Sequence, residues 1–205
     1  MRKMADSVTP ANLPPGFDLY GAYCDGNYRN FAQVSAMYPG KVVGIAVFSS
    51  TNDGVVGDCE QGDMTPSSSV QWVLMRRKAG VDPTIYCSEA AWPAVRSAFT
   101  SMGVTQPHYW IAGYPGSVGA ALYPGAVAHQ WIDHGPYDES VVADYWPGID
   151  KPIPPTPPSV KENVTVSTIV FGGQLHVFGT INNVAYHWWQ DPGVPGWKVE
   201  VLNHP

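Results

Sequence analysis

Charge is scarce in this chain of 205 residues. Only 14% of positions are Asp, Glu, Lys or Arg, and the 11 basic residues are outnumbered by 17 acidic ones. No basic patch stands out, which excludes nucleic acid as the main partner, because a phosphate-binding surface needs one. No apolar run reaches the roughly 18 to 20 residues that a membrane-spanning helix requires, so no membrane partner is expected. Met1–Pro10 holds two basic residues with no apolar core behind them, and does not read as a signal peptide. Three cysteines, Cys24, Cys59 and Cys87, are too few and too scattered for a disulfide framework or a CxxC-type zinc site. They read as small buried hydrophobes, and the redox compartment stays open. No glycine-rich phosphate loop follows the first strong strand, so a nucleotide site has no support, and no cofactor or metal is expected. What is abundant is aromatic: 12% of the chain, with 8 Trp and 11 Tyr. So much apolar surface with so little charge argues for a folded, soluble protein rather than disorder.

Composition divides the chain at Lys151. Five prolines in Lys151–Val160 predict an extended, semi-rigid spacer over residues 151–162. Residues 1–150 carry 8 basic and 14 acidic side chains, while residues 151–205 carry 3 of each, so the net charge of -6 belongs to the first part.

Residues 1–14 read as an N-terminal arm and 15–150 as a domain of alternating periods. Lys41–Ser50 is β-branched and nearly continuously apolar, as in a strand covered on both faces. Thr65-Pro66 opens a helix with a capping threonine and a proline at its first position, and Gly80 closes it. Residues 83–88, 107–114 and 126–133 read as strands. An early helix is expected from about Asn30 to Tyr38, with Phe31, Val34 and Tyr38 facing inward. Trp92, Val95, Phe99 and Met102 share the face of a further helix. Alternation of this kind implies an α/β fold with a parallel sheet. About 135 residues is short for a full eightfold barrel, so the expectation is a compact, irregular, TIM-like β/α barrel, with a small doubly wound sheet as the alternative. Residues 163–205 have another rhythm: four short strands, with Gly172-Gly173 and Asn182-Asn183 at hairpin turns. They predict a small all-β, four-stranded blade. Alone it leaves two open edges and a face too small to bury.

Chemistry is concentrated in Val55–Asp63. On a strand, Asp58 and Glu60 point to the same side, about 7 Å apart along the chain. The helix start at Thr65 places them at the carboxyl end of that strand, where parallel barrels build active sites. Two acids sharing a partly dry site push one proton affinity upward, leaving one donor and one carboxylate, which is the equipment for glycosidic cleavage. Several other groups have a more ordinary reading. His129 reads as a satisfied core histidine, His108 as exposed, and Arg76-Arg77-Lys78 as a solvated helix end. His176, His187 and Trp188-Trp189 have strand spacing rather than ligand spacing. Asn163-Val164-Thr165 matches the glycosylation sequon but is too short a motif to carry weight.

Read in order, Gly16-Phe17-Asp18, Gly57-Asp58-Cys59-Glu60, Pro83–Tyr86, Tyr109–Ala112, His129-Gln130-Trp131 and Tyr137-Asp138 resemble the strand ends of the glycoside hydrolase family 25 lysozyme-like barrels. The likeness spans about residues 15–150 and is greatest to the compact form found in actinobacteria and their phages. It implies cleavage of the β-1,4 bond between muramic acid and N-acetylglucosamine in peptidoglycan. Glu60 would be the general acid. Asp58 would be the second carboxylate, stabilising positive charge or orienting an acetamido group. Asp18 and Asp138 would complete the acidic ring, with Asp133 competing for the last place. Tyr86, Trp110, Gln130 and Trp131 would line the sugar groove. Phe171–Phe178, Val184–Gln190 and Gly196-Trp197 are similar to one repeat of the lectin-type propellers. That likeness implies glycan binding and assembly with further copies, or with virion neighbours, through residues 163–205. The expected setting is the virion or the host cell envelope. A non-catalytic tail or capsid decoration protein is the competing expectation.

Overall fold

The apolar run at residues 42–46 is covered on both sides because it is one stave of a closed eight-stranded barrel. The structure is a computed structural model describing residues 1–114, 119–151, 166–181, 184–191 and 196–202. It divides into two units, Met1–Asp150 and Lys151–Pro205. The proline spacer beyond Lys151, the sequon and the Asn182-Asn183 turn lie outside the described residues.

In chain order the barrel strands are β1 (Arg2–Asp6), β2 (Leu19–Tyr23), β3 (Val42–Ala46), β4 (Val56–Asp58), β5 (Thr84–Ser88), β6 (His108–Ala112), β7 (Ala128–Asp133) and β8 (Asp138–Val142). β1 through β7 pair in parallel, and β8 closes the ring antiparallel to both β7 and β1. The barrel is therefore mixed. Three helices stand outside it: α1 (Phe31–Met37), α2 (Pro66–Lys78) and α3 (Trp92–Ser101). Strand and helix alternate only in part: among the described residues no helix lies between β3 and β4 or between β6 and β8.

Residues 1–14 are not an arm. Arg2–Asp6 pairs with β2 and β8, and Met4 and Ala5 are fully buried. Its polar start misleads because the cations are paired with residues far along the chain: Arg2 forms a paired contact with Asp150, and Lys3 meets Glu139.

Inside the ring, Met4, Leu19, Val43, Val56, Ala128 and Val142 form an apolar layer. Trp146 joins them from beyond β8, its indole N–H donating to Thr84 Oγ1 at 2.7 Å. Outside, Trp72, Val73, Val95, Phe99 and Ile111 pack beneath α2 and α3, and Val34 of α1 packs on Tyr20 and Ala22. The start of α2 follows its sequence signal. Thr65 Oγ1 accepts from Ser68 N–H, and Ser68 Oγ accepts from Thr65 N–H. Gly80, at φ +80°, ends it. Met102, expected on the inward face of α3, is exposed because the helix stops at Ser101.

The second unit is a separate antiparallel sheet of β9 (Val166–Phe171), β10 (Gln174–Ile181), β11 (Val184–Gln190) and β12 (Lys198–Leu202), in the order β12-β11-β10-β9. Gly172 and Gly173 make the first hairpin with positive φ. The registers place Val170, Leu175, Val177, Tyr186, Trp188, Val199 and Val201 on one face. The opposite face carries His176, Phe178, His187, Trp189 and Glu200 as a stacked, hydrogen-bonded row.

Candidate active site

Alternation past the end of β4 builds the site. Cys59 N–H donates to Tyr86 O at 2.9 Å, so the extended backbone continues beyond Asp58. Cys59 turns outward into the cluster with Met64 and Trp72, while Asp58 and Glu60 turn toward the barrel mouth. Asp58 is 4% exposed, and its Oδ1 has no hydrogen-bond partner. Burial, then the charges of Glu60, Asp63, Asp6 and Asp25, push its pKa from 3.8 to about 8. Glu60 stands exposed at the rim. Desolvation against the mouth wall raises its pKa, and the neighbouring Tyr86 hydroxyl opposes the rise.

A fourth acid, absent from the sequence expectation, completes the ring. Asp6 ends β1 and is 5% exposed. Burial first, then Asp138, raise its pKa well above the usual carboxylate range. The Gln130 amide donates to both its oxygens at 3.2 Å, and Tyr86 O–H donates to Gln130 Oε1 at 2.5 Å. A continuous polar chain thus runs from Asp6 through Gln130 to Tyr86, beside Glu60. Asp138 reaches the same mouth from β8, where desolvation and Asp133 raise its pKa and Tyr114 counteracts them.

Asp18 is not part of this ring. It precedes β2, at the opposite end of the barrel, and its Oδ2 accepts from Lys3 N–H at 2.8 Å. Asp6 holds the position that Asp18 was expected to fill. Met4-Ala5-Asp6 carried a usable signal, since an apolar stretch ending in an acid is also the form of Val56-Gly57-Asp58.

The expected groove wall needs similar correction. Trp110 is 1% exposed inside the barrel, its indole donating to Ser140 Oγ, and Gln130 is equally enclosed, so neither meets a sugar. Trp131 occupies the bulge between Gln130 and Ile132 and is half-buried. Tyr86 is half-buried and borders the acids. The exposed aromatics near the mouth are instead Tyr28, Phe48 and Tyr114. His129 is a core histidine, its Nδ1 donating to the Ala121 carbonyl.

Two open cavities flank the Glu60–Asp63 segment. One, of about 720 Å³, runs along Gln61, Met64, Thr65, Ser88 and Ala91. The other, of about 260 Å³, lies among Tyr23, Asp25, Tyr28, Phe48 and Asp58. Glu60, Gly62 and Asp63 border both. Among the described residues, no ion pair involves Asp6, Asp58, Glu60, Asp63 or Asp138. Among them, too, no group of three His, Cys, Asp or Glu side chains could hold a metal ion. Comparison with protein-family models, with curated proteins and with solved structures finds no match.

Proposed function

We propose that the Met1–Asp150 unit is a glycoside hydrolase of the lysozyme-like type, acting on a cell-wall glycan laid across the Glu60 ridge, and that its barrel is a shortened TIM-like form. One observation carries this reading: a buried Asp58 carboxyl whose Oδ1 has no partner and an exposed Glu60 carboxyl share one open mouth, with Glu60 bordering two cavities and Asp58 the smaller of them. At neutral pH Asp58 keeps its proton, because its pKa lies near 8. It cannot then offset positive charge as an anion. It suits the other expected role, a hydrogen bond to the acetamido group of the bound sugar. Glu60 reaches the glycosidic oxygen and, partly desolvated, holds a proton to a higher pH than a free glutamate does. Tyr86, tied to Gln130 and through it to Asp6, stands beside Glu60 and lowers its pKa against the effect of burial.

Turbidity clearing of purified cell walls tests this directly. The parent clears the suspension and Glu60→Gln slows clearing by about 10²- to 10⁴-fold, the usual contribution of a positioned acid. Equal inertness of both removes the hydrolase.

A second reading, a non-catalytic assembly component, is favoured by the second unit. One face of its sheet is largely apolar, with Val170, Val199 and Val201 exposed toward its edges around a buried middle of Val177 and Trp188. A second copy of the same sheet is the occupant that the open edges and the face suit. Light scattering on the full chain shows self-association that Val170→Glu with Val201→Glu abolishes; a monomeric parent removes this reading.

A further inference from the structure

We propose that the smaller cavity takes a sugar carrying a free amino group, with its ammonium held among Asp25, Glu60 and Asp63 and against the rings of Tyr28 and Phe48. This rests on reading the Glu60 mouth as a saccharide site, and it names the chemistry of one sugar within it.

Three independent features converge there. Asp58 forms part of the wall, and its buried Oδ1 has no partner of its own, so a ligand N–H is the group that the cavity lacks. Asp25 is fixed by Val47 N–H at 2.7 Å and Phe48 N–H at 3.2 Å, each of its oxygens keeping a further lone pair for a ligand. The walls between these acids are aromatic: Tyr28 is 60% exposed, Phe48 is 51% exposed, and the Tyr23 and Tyr28 rings stand 6.5 Å apart at 57°. Carboxylates beside open aromatic faces form the environment that recognises an ammonium ion.

The electrostatics select between two forms of the same sugar. A neutral group laid over Asp25, Glu60 and Asp63 strips water from these three carboxyls and returns no charge to them, which is costly. An ammonium returns one positive charge at a place that no ion pair among the described residues reaches. Burial first, then the charge of Asp25, raises the pKa of Asp63, and a cation beside it acts against that rise.

Calorimetric titration of the full chain at about pH 6 with a β-1,4-linked glucosamine oligomer, against its fully N-acetylated counterpart, tests the proposal. The free-amine oligomer binds about tenfold tighter or more. Its affinity falls as salt rises, and drops about tenfold in both Asp63→Asn and Tyr28→Ala, two exposed positions whose replacement leaves the fold intact by circular dichroism. Equal or tighter binding of the acetylated oligomer overturns the proposal, as does binding of neither, or an amine affinity that both variants leave unmoved. Failure here is separable from failure of the hydrolase reading. Clearing of acetylated walls without amine preference removes this inference alone, and amine binding by a protein inert on every wall removes only the hydrolase.

Discussion

Replacing Asp58 with asparagine removes one ionisation and changes little else in shape. In the unfolded chain this carboxyl ionises near the ordinary 3.8, and in the folded barrel near 8. Between those values the folded state holds a proton that the unfolded state has released, so stability falls as pH rises through that window and levels off above it. At about 1.36 kcal/mol for each tenfold change in proton affinity, the full displacement corresponds to about 6 kcal/mol. Asp58 itself is 4% exposed, so little is lost to water at the group, but the charges of Glu60 and Asp63 act from a wet rim and are screened. A working range is about 3 to 6 kcal/mol. Asp58→Asn should therefore match the parent at about pH 4 and exceed it by that amount at about pH 9. In a chain of this size the lower figure alone raises the melting temperature by about 6 to 12 °C. Urea unfolding of both full-length proteins across that pH range gives the answer, and the second unit cancels in the difference. A gap between parent and variant that does not change with pH would refute the reasoning.

Asp18→Asn should leave wall clearing and glycan binding within about twofold of the parent, because Asp18 caps the far end of the barrel; a large loss would return it to the site. Gly57→Ala should cost about 1 to 3 kcal/mol in urea unfolding. A Cβ there would stand 2.8 Å from Trp72 Cε3 and 3.0 Å from Ile85 Cδ1, and Trp72 is fully buried with nowhere to move.

Local signals made some elements readable. The apolar run of β3, the Thr65-Pro66 opening of α2 and the Val95–Phe99 face of α3 each announce themselves within a few residues, and each forms. The pair Asp58 and Glu60 was readable for the same reason, since strand alternation alone puts them on one side. What escaped depends on distant partners. β1 begins with two cations that look like a solvated arm until Asp150 and Glu139 are brought to them. β8 begins Asp138-Glu139-Ser140, polar in sequence, yet Ser140 is fully buried with its Oγ accepting from Trp110. Trp110 looked like a sugar platform because indoles often are one. In this narrow barrel it fills the space left by a glycine across the ring: a Cβ on Gly21 would lie 3.6 Å from Trp110 Cη2 and 2.8 Å from Asp6 Cβ. That contact cannot be read from either segment by itself.

The two ends of the barrel treat charge in opposite ways. At the end below the apolar layer, the Met1 amino group meets Asp144, Arg2 meets Asp150, and His108 meets Asp82. On the outer wall Lys3 and His134 both reach Glu139 and hold its pKa below the usual value, although burial works against them. Among the described residues no ion pair is formed at the mouth, and Asp6, Asp58, Glu60, Asp63 and Asp138 are all displaced upward, with Tyr114 and His134 acting against the rise at Asp138. A chain with 11 basic residues could have supplied one, since Arg76 lies buried on the outer side of β4, its guanidinium used on the Gly54 carbonyl and Asn52. Stability alone favours pairing or removing the mouth acids, because each buried carboxyl without a cation lowers the folded state's advantage at neutral pH. Their concentration at one end, around two cavities and an unpartnered oxygen, is a charge distribution that the described residues leave without a paired cation.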